Sequence, residues 1–154
     1  ANVGSAILFQ QFAELSQLQT LHVTDCVFEH ISAEISAGAI FISSEQNMEA
    51  LIENSSFTNV SSMQNGGVVY AAGAATLTMD HLSVSECASR AGSGSFAFIQ
   101  GMNVKMNDVQ VQDCESEEST IYVQGSNQVT IEHSTFKNLS SQLNGGVVRA
   151  QDIV

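Results

Sequence analysis

Leu77-Thr78-Met79-Asp80-His81-Leu82-Ser83-Val84-Ser85-Glu86-Cys87 returns twenty-seven positions later as Val104-Lys105-Met106-Asn107-Asp108-Val109-Gln110-Val111-Gln112-Asp113-Cys114. In both copies the first, third, sixth and eighth places are apolar, and the eleventh is cysteine. Alternation of this kind marks strands with one buried face. The polar residues that interrupt it, His81 and Glu86 in one copy and Asp108 and Asp113 in the other, mark turns.

Working outward, Phe28, Phe57, Val84, Val111 and Phe136 fall into one column, with spacings of 29, 27, 27 and 25 between successive residue numbers. Five places earlier stand Val23, Ile52, Met79, Met106 and Ile131, and seven places earlier Leu21, Ala50, Leu77, Val104 and Val129, all apolar. Three places later come Ile31, Val60, Cys87, Cys114 and Leu139; two earlier come Cys26, Ser55, Leu82, Val109 and Ser134. A further strand follows a glycine-containing turn in Ser36-Ala37-Gly38-Ala39-Ile40, Asn65-Gly66-Gly67-Val68-Val69, Gly92-Ser93-Gly94-Ser95-Phe96 and Asn144-Gly145-Gly146-Val147-Val148. Alternation there predicts an inner face of Ile7 and Phe9, Ile40 and Ile42, Val69 and Ala71, Phe96 and Phe98, Ile121 and Val123, and Val148 and Ala150. The outward column then reads Leu8, Phe41, Tyr70, Ala97, Tyr122 and Arg149.

Two or three short strands per repeat, each stacked on its equivalent about 4.8 Å away, would pair the backbone and bury the inner columns continuously. The predicted fold is therefore all-β: a single-stranded parallel β-helix, or β-solenoid, of about five coils of roughly 25–33 residues, with residues 1–154 forming one segment. Right-handedness is expected from the chirality of parallel crossover connections. Leucine-rich repeats would need a dense leucine pattern, and propeller blades a period of about 40 residues or more with Trp-Asp signatures. This chain has no tryptophan and no such leucine pattern.

Composition agrees with one domain of short strands and polar turns. The 154 residues are 44% hydrophobic and 13% charged, without proline. A formal charge of −12, with only Arg90, Lys105, Lys137 and Arg149 as strong cations, argues against nucleic acid as a partner. No apolar run approaches the roughly 18 residues expected of a membrane span, and the first residues lack the basic-then-apolar pattern of a signal peptide.

Phe57-Thr58-Asn59 followed by Gly66-Gly67-Val68-Val69, and Phe136-Lys137-Asn138 followed by Gly145-Gly146-Val147-Val148, resemble the FxxN and GGA[ILV] repeats of chlamydial polymorphic outer-membrane proteins and of β-helix surface proteins in ciliates and other protists. Here the asparagine stands two places after the phenylalanine. The resemblance implies an adhesin, stalk or surface coat, extracellular or at the cell surface. Gly4 to Phe9 matches the second strand of a coil and Gly145 to Ala150 begins another, so we expect a segment of a longer solenoid, or a fibre subunit stacking end to end.

Parallel β-helices also include pectate lyases and polygalacturonases, a reading that rests on fold analogy alone. Hydrolases of that shape need close aspartate pairs, and Asp25, Asp80, Asp108, Asp113 and Asp152 include no adjacent pair. Lyases need a base beside calcium-bound carboxylates, and the four strong cations share no column. We expect no catalytic residues, metal or cofactor. His81 and His133 share a column with Asp25, Asn54 and Asp108; two coils separate the histidines, so a turn ladder is favoured over a metal site. The column His30, Asn59, Glu86, Asp113 and Asn138 reads as a second polar turn, followed in one coil by Glu115, Glu117 and Glu118. With no dedicated calcium-loop motif, a solvated acidic bend is expected there.

Cys87 and Cys114 occupy one column in consecutive coils, close enough for a disulfide, although stacked free thiols are the competing reading. Cys26 stands apart in another column. Asn54-Ser55-Ser56, Asn59-Val60-Ser61 and Asn138-Leu139-Ser140 are sequons, so Asn54, Asn59 and Asn138 are candidate glycosylation sites in a secreted eukaryotic chain. The outward stripe of Leu8, Phe41, Tyr70, Tyr122 and Arg149 is the candidate binding surface, for glycans or a surface protein. Its alternative role is to stabilise neighbouring coils. As a binding surface, serines at Phe41, Tyr70 and Tyr122 would abolish binding without unfolding the solenoid. The longest insertion, Gln10 to Gln19 with Phe12, Leu15 and Leu18, is expected to cover the outside of the first coil. The function expected from all this is a noncatalytic structural or adhesive solenoid, with a carbohydrate-binding module or a pectin-lyase-like enzyme as alternatives.

Overall fold

The computed structural model describes residues 5–11, 18–126, 128–143 and 146–152. Most of the Gln10–Gln19 insertion, and Asn144-Gly145, lie outside the described residues. Among those described there is no helix, and so none that is long and apolar enough to cross a membrane. Successive coils contribute β1 (Ile7–Gln11), β2 (Gln19–Thr24) and β3 (Val27–Ala33), then β4 (Ile40–Glu53) and β5 (Ser56–Ser62), then β6 (Val69–Ser85) and β7 (Ala88–Ser89). They continue with β8 (Ala97–Gln100), β9 (Asn103–Gln112) and β10 (Glu115–Ser116), then β11 (Ile121–Gln124), β12 (Val129–Glu132), β13 (Thr135–Lys137) and β14 (Ser140–Ser141), and finally β15 (Val148–Gln151). Every pairing is parallel and joins a strand to its equivalent one coil away.

The columns expected from the repeat are the columns of the fold. Phe28 pairs with Phe57, Phe57 with Val84, Val84 with Val111 and Val111 with Phe136. Val23, Ile52, Met79, Met106 and Ile131 stack in the same way. Their side chains form one continuous interior in which Phe57, Ile52, Met79 and Met106 are fully buried. Apolar burial along an uninterrupted column is the main source of stability in such a stack, because each coil alone has no enclosed core.

Both polar turn columns hold the left-handed backbone conformation. Asp25, Asn54, His81, Asp108 and His133 have φ between 48° and 54°, and His30, Asn59, Glu86, Asp113 and Asn138 between 49° and 55°. A single left-handed residue bends the chain, within a strand at His30, Asn59, His81 and Asp108 and between strands at the others, and Asn, Asp and His bear that conformation best. Glutamate does so less well. We therefore expect Glu86→Asn to raise stability by about 1 kcal/mol, read as a higher urea midpoint with an unchanged slope.

Between these turns the spacing never varies. The blocks 21–33, 50–62, 77–89, 104–116 and 129–141 are each thirteen residues long, with a left-handed residue at the fifth and tenth places. Differences in coil length arise outside them. Along the next strand Ile7, Ile40, Val69, Ala97, Ile121 and Val148 stack with steps of 33, 29, 28, 24 and 27 residues.

One expected register is corrected. Ala97 pairs with Val69 and Ile99 with Ala71, so these two face inward, while Phe98 pairs with Tyr70 on the outside. The turn before β8 is one residue longer than its neighbour, running from Ser89 to Ala97 where the other runs from Ser62 to Val69. Its left-handed residue, Gly94, therefore matches Gly66 and Ala37 and not Gly67, each standing three places before the first inward residue. A one-residue slip exchanges the faces of a strand. Phe96 is nevertheless fully buried, because it enters at the level of Val68, whose amide donates to its carbonyl.

Candidate functional site

With Phe98 in place, the outward stripe becomes Leu8, Phe41, Tyr70, Phe98, Tyr122 and Arg149 in consecutive coils. The parallel register puts the rings directly above one another. Centroids are 5.0 Å apart for Phe41 and Tyr70, 5.2 Å for Tyr70 and Phe98, and 4.9 Å for Phe98 and Tyr122, with interplanar angles of 10° or less. The Arg149 guanidinium closes the column, 5.6 Å from the Tyr122 centroid. Burial within the stack also pushes the Tyr70 phenol above its ordinary pKa.

Polar contacts tie the Arg149 end to three coils. Arg149 Nη1 lies 2.6 Å from Glu118 Oε2, which also accepts the Ser93 hydroxyl at 2.7 Å. The Tyr122 hydroxyl donates to Gln151 Oε1 at 3.0 Å. A sugar that binds an aromatic side chain lies across its face. In this column each inner ring face is covered by the next ring, so ring edges and hydroxyls are what the stripe presents. The stacked faces join coil to coil, as the stripe's alternative reading expects, while the ring edges stay at the surface. Serines at Phe41, Tyr70 and Tyr122 are therefore expected to weaken the fold, contrary to the outcome expected of a binding surface. The sharper test is Phe98→Ser, which removes two stacked contacts at once and should cost about 2 kcal/mol, measured by urea unfolding.

A second surface lies over the first left-handed column. Asp25, Asn54, His81 and Asp108, with Val27 and Gln110, line an open groove of ≈ 530 Å³. Val27 is 67% exposed there. His81 Nδ1 is 3.0 Å from Asp80 Oδ1, and its Nε2 is 3.4 Å from Asp108 Oδ2. The Asn107 amide donates to Asp80 Oδ1 at 2.8 Å, and Asn107 Oδ1 lies 3.0 Å from His133 Nδ1. The Asn107 hydrogen bond, aided by His81, holds the Asp80 carboxyl below the usual carboxylate range. Among the described residues no group of three or more His, Cys, Asp or Glu is gathered to hold a metal ion.

The candidate sequon asparagines are all exposed and left-handed, Asn54 and Asn138 between strands and Asn59 within β5. The Asn59 amide is 3.0 Å from His30 Nδ1, the Asn138 amide donates to Asp113 Oδ1 at 3.1 Å, and Asn54 lines the groove. Cys87 and Cys114 lie in one column of consecutive coils, as their spacing indicates, and all three cysteines are free thiols.

Two residues that build the aromatic column and its surroundings are not legible from the sequence pattern. Alternation assigns Phe98 to the inner face, and matching Gly94 to Gly66, each three places before the first inward residue of its strand, is the signal that corrects it. The acidic run places Glu118 in a solvated bend, but the turn that carries it, from Ser116 to Ile121, is the shortest in the stack and brings it against Ser93 and Arg149.

Comparison with curated proteins and with solved structures finds no match to the chain. A family model described as a right-handed β-helix region matches residues 6–150. That span contains the five thirteen-residue blocks and the whole aromatic column, and the chain accordingly belongs to the right-handed β-helix family.

Proposed function

We propose that the chain is a noncatalytic segment of an extracellular or cell-surface solenoid that acts as a stalk, adhesin segment or fibre subunit. The observation that carries this reading is the ring-on-ring column closed by Arg149, whose stacked faces hold the coils together. The histidines and asparagines of the turns are similarly engaged with neighbouring coils, His30 with Asn59 and His133 with Asn107. The likeness of Phe57-Thr58-Asn59 and Gly66-Gly67-Val68-Val69 to surface-protein repeats supports the same location. Its partners would be neighbouring solenoid segments or a second copy, end to end, and surface glycans or proteins met by its polar flanks. The net negative charge opposes nucleic acid.

A carbohydrate-binding role is the second reading, favoured by the polar groove at Asp25, Asn54, His81 and Asp108 with its exposed valine. Antibodies raised to the folded chain should label intact source cells or their secreted material. Labelling only after permeabilisation would overturn the proposed location. Release of new sugar ends from acidic polysaccharide by the purified protein would overturn the noncatalytic part. Groove resonances that move on adding neutral oligosaccharides would favour the second reading.

A further inference from the structure

We infer that Cys87 and Cys114 form a dithiol site that oxidises to an inter-coil disulfide. The two residues stand in one interior column with Ile31, Val60 and Leu139, set by the pairing of Ser61 with Ala88 and of Ala88 with Glu115. The Glu115 amide donates to the Cys87 carbonyl at 2.9 Å, which holds the two backbones at strand spacing. Stacked strands lie about 4.8 Å apart, inside the roughly 4.4–6.8 Å between Cα atoms that a disulfide spans.

Both residues are 1% exposed, and each thiol donates to the carbonyl two residues before it, Cys87 to Ser85 and Cys114 to Gln112, at 3.2 Å in each case. The neighbouring Cys114 thiol, with burial, pushes Cys87 above its ordinary value, and the neighbouring Cys87 thiol lowers Cys114. Cys26 offers no competing pair. Its level in the next coil is filled by Ser55, whose hydroxyl accepts the Cys26 amide at 3.1 Å.

The oxidant is glutathione disulfide or a disulfide of the same class. The Cys114 thiolate attacks one sulfur of glutathione disulfide, whose S–S bond breaks and releases one glutathione, which takes up a proton. Cys87 then loses its proton to solvent and attacks the Cys114 sulfur of the mixed disulfide, expelling the second glutathione. Two protein thiols are oxidised, and one glutathione disulfide is reduced to two thiols. Because both sulfurs are buried, the exchange takes place while coils are being laid down or while this edge opens. The surface-location reading bears only on where the oxidant is met; the bond itself rests on the column geometry.

The test is to reduce and unfold the chain, refold it with glutathione and its disulfide, alkylate it in denaturant and weigh it intact. We expect one alkyl group, on Cys26, a loss of two hydrogens, and a cross-linked peptide pair containing Cys87 and Cys114. A Cys26→Ser variant should take no alkyl group and still lose two hydrogens. Adding Cys87→Ala to that variant should restore one alkylatable thiol, and the oxidised wild type should unfold at higher urea than its reduced form. Three alkylated thiols in a refolded, β-rich wild type, or a bond to Cys26, would overturn the assignment. Failure there would leave the surface-location reading untouched, since that is decided by cell labelling.

Discussion

Replacing Phe57 with alanine should cost about 3–5 kcal/mol. Phe57 is fully buried, and its ring lies 4.8 Å from that of Phe28 with 2° between the planes. On its other side the column continues to Val84. Truncation would therefore leave a cavity at mid-stack that neither neighbour fills without breaking its own register. For a domain whose total stability is about 5–15 kcal/mol, such a loss approaches complete unfolding. Chemical denaturation would show a much lower midpoint, and a midpoint close to that of the wild type would mean that the interior is not continuous at this level.

The second large effect comes from adding atoms where there is no room. A Cβ at Gly67 would collide with the Ser95 carbonyl oxygen and lie 2.6 Å from the Ala88 carbonyl oxygen. Both obstacles are backbone in the following coil, so no side chain can swing away. Gly38 repeats the situation one coil earlier, against the Gly67 carbonyl and with Ser61 O at 2.8 Å. Glycine at this level is thus needed for close approach between coils. Gly67→Ala should lose about 1–3 kcal/mol. Gly146→Ala meets nothing within 4 Å and should stay within about 0.5 kcal/mol of the wild type. Comparable midpoints for the two variants would refute the packing argument.

Much of the fold was legible because its repeat carries two signals in the same phase. The apolar columns of Val23 and Phe28 alternate with period two, and Asp, Asn and His mark the left-handed corners between them. Either signal alone would leave the register open. Where both fail the reading fails, in Ser95-Phe96-Ala97-Phe98-Ile99. Every residue after Ser95 in that run is apolar, so alternation cannot distinguish inside from outside, and the lengthened turn shifts the phase by one. The candidate surface was less legible than the fold. Sequence places Phe41, Tyr70 and Tyr122 on one stripe, but whether the stack runs unbroken from Tyr70 to Tyr122 depends on the fourth ring, Phe98. The Glu118–Arg149 pair depends on a turn length that no pattern of residue types encodes.

The unvarying thirteen-residue blocks constrain how such a chain can change over generations. An inserted residue inside a block would exchange inner and outer faces for the rest of that strand. Outside the blocks, at the corners on either side of the strand that carries the aromatic column, lengths already differ from coil to coil. Novelty can therefore enter at two edges of the stack while the remainder keeps time, so descendants of this sequence would diverge first along those edges and preserve the frame between them.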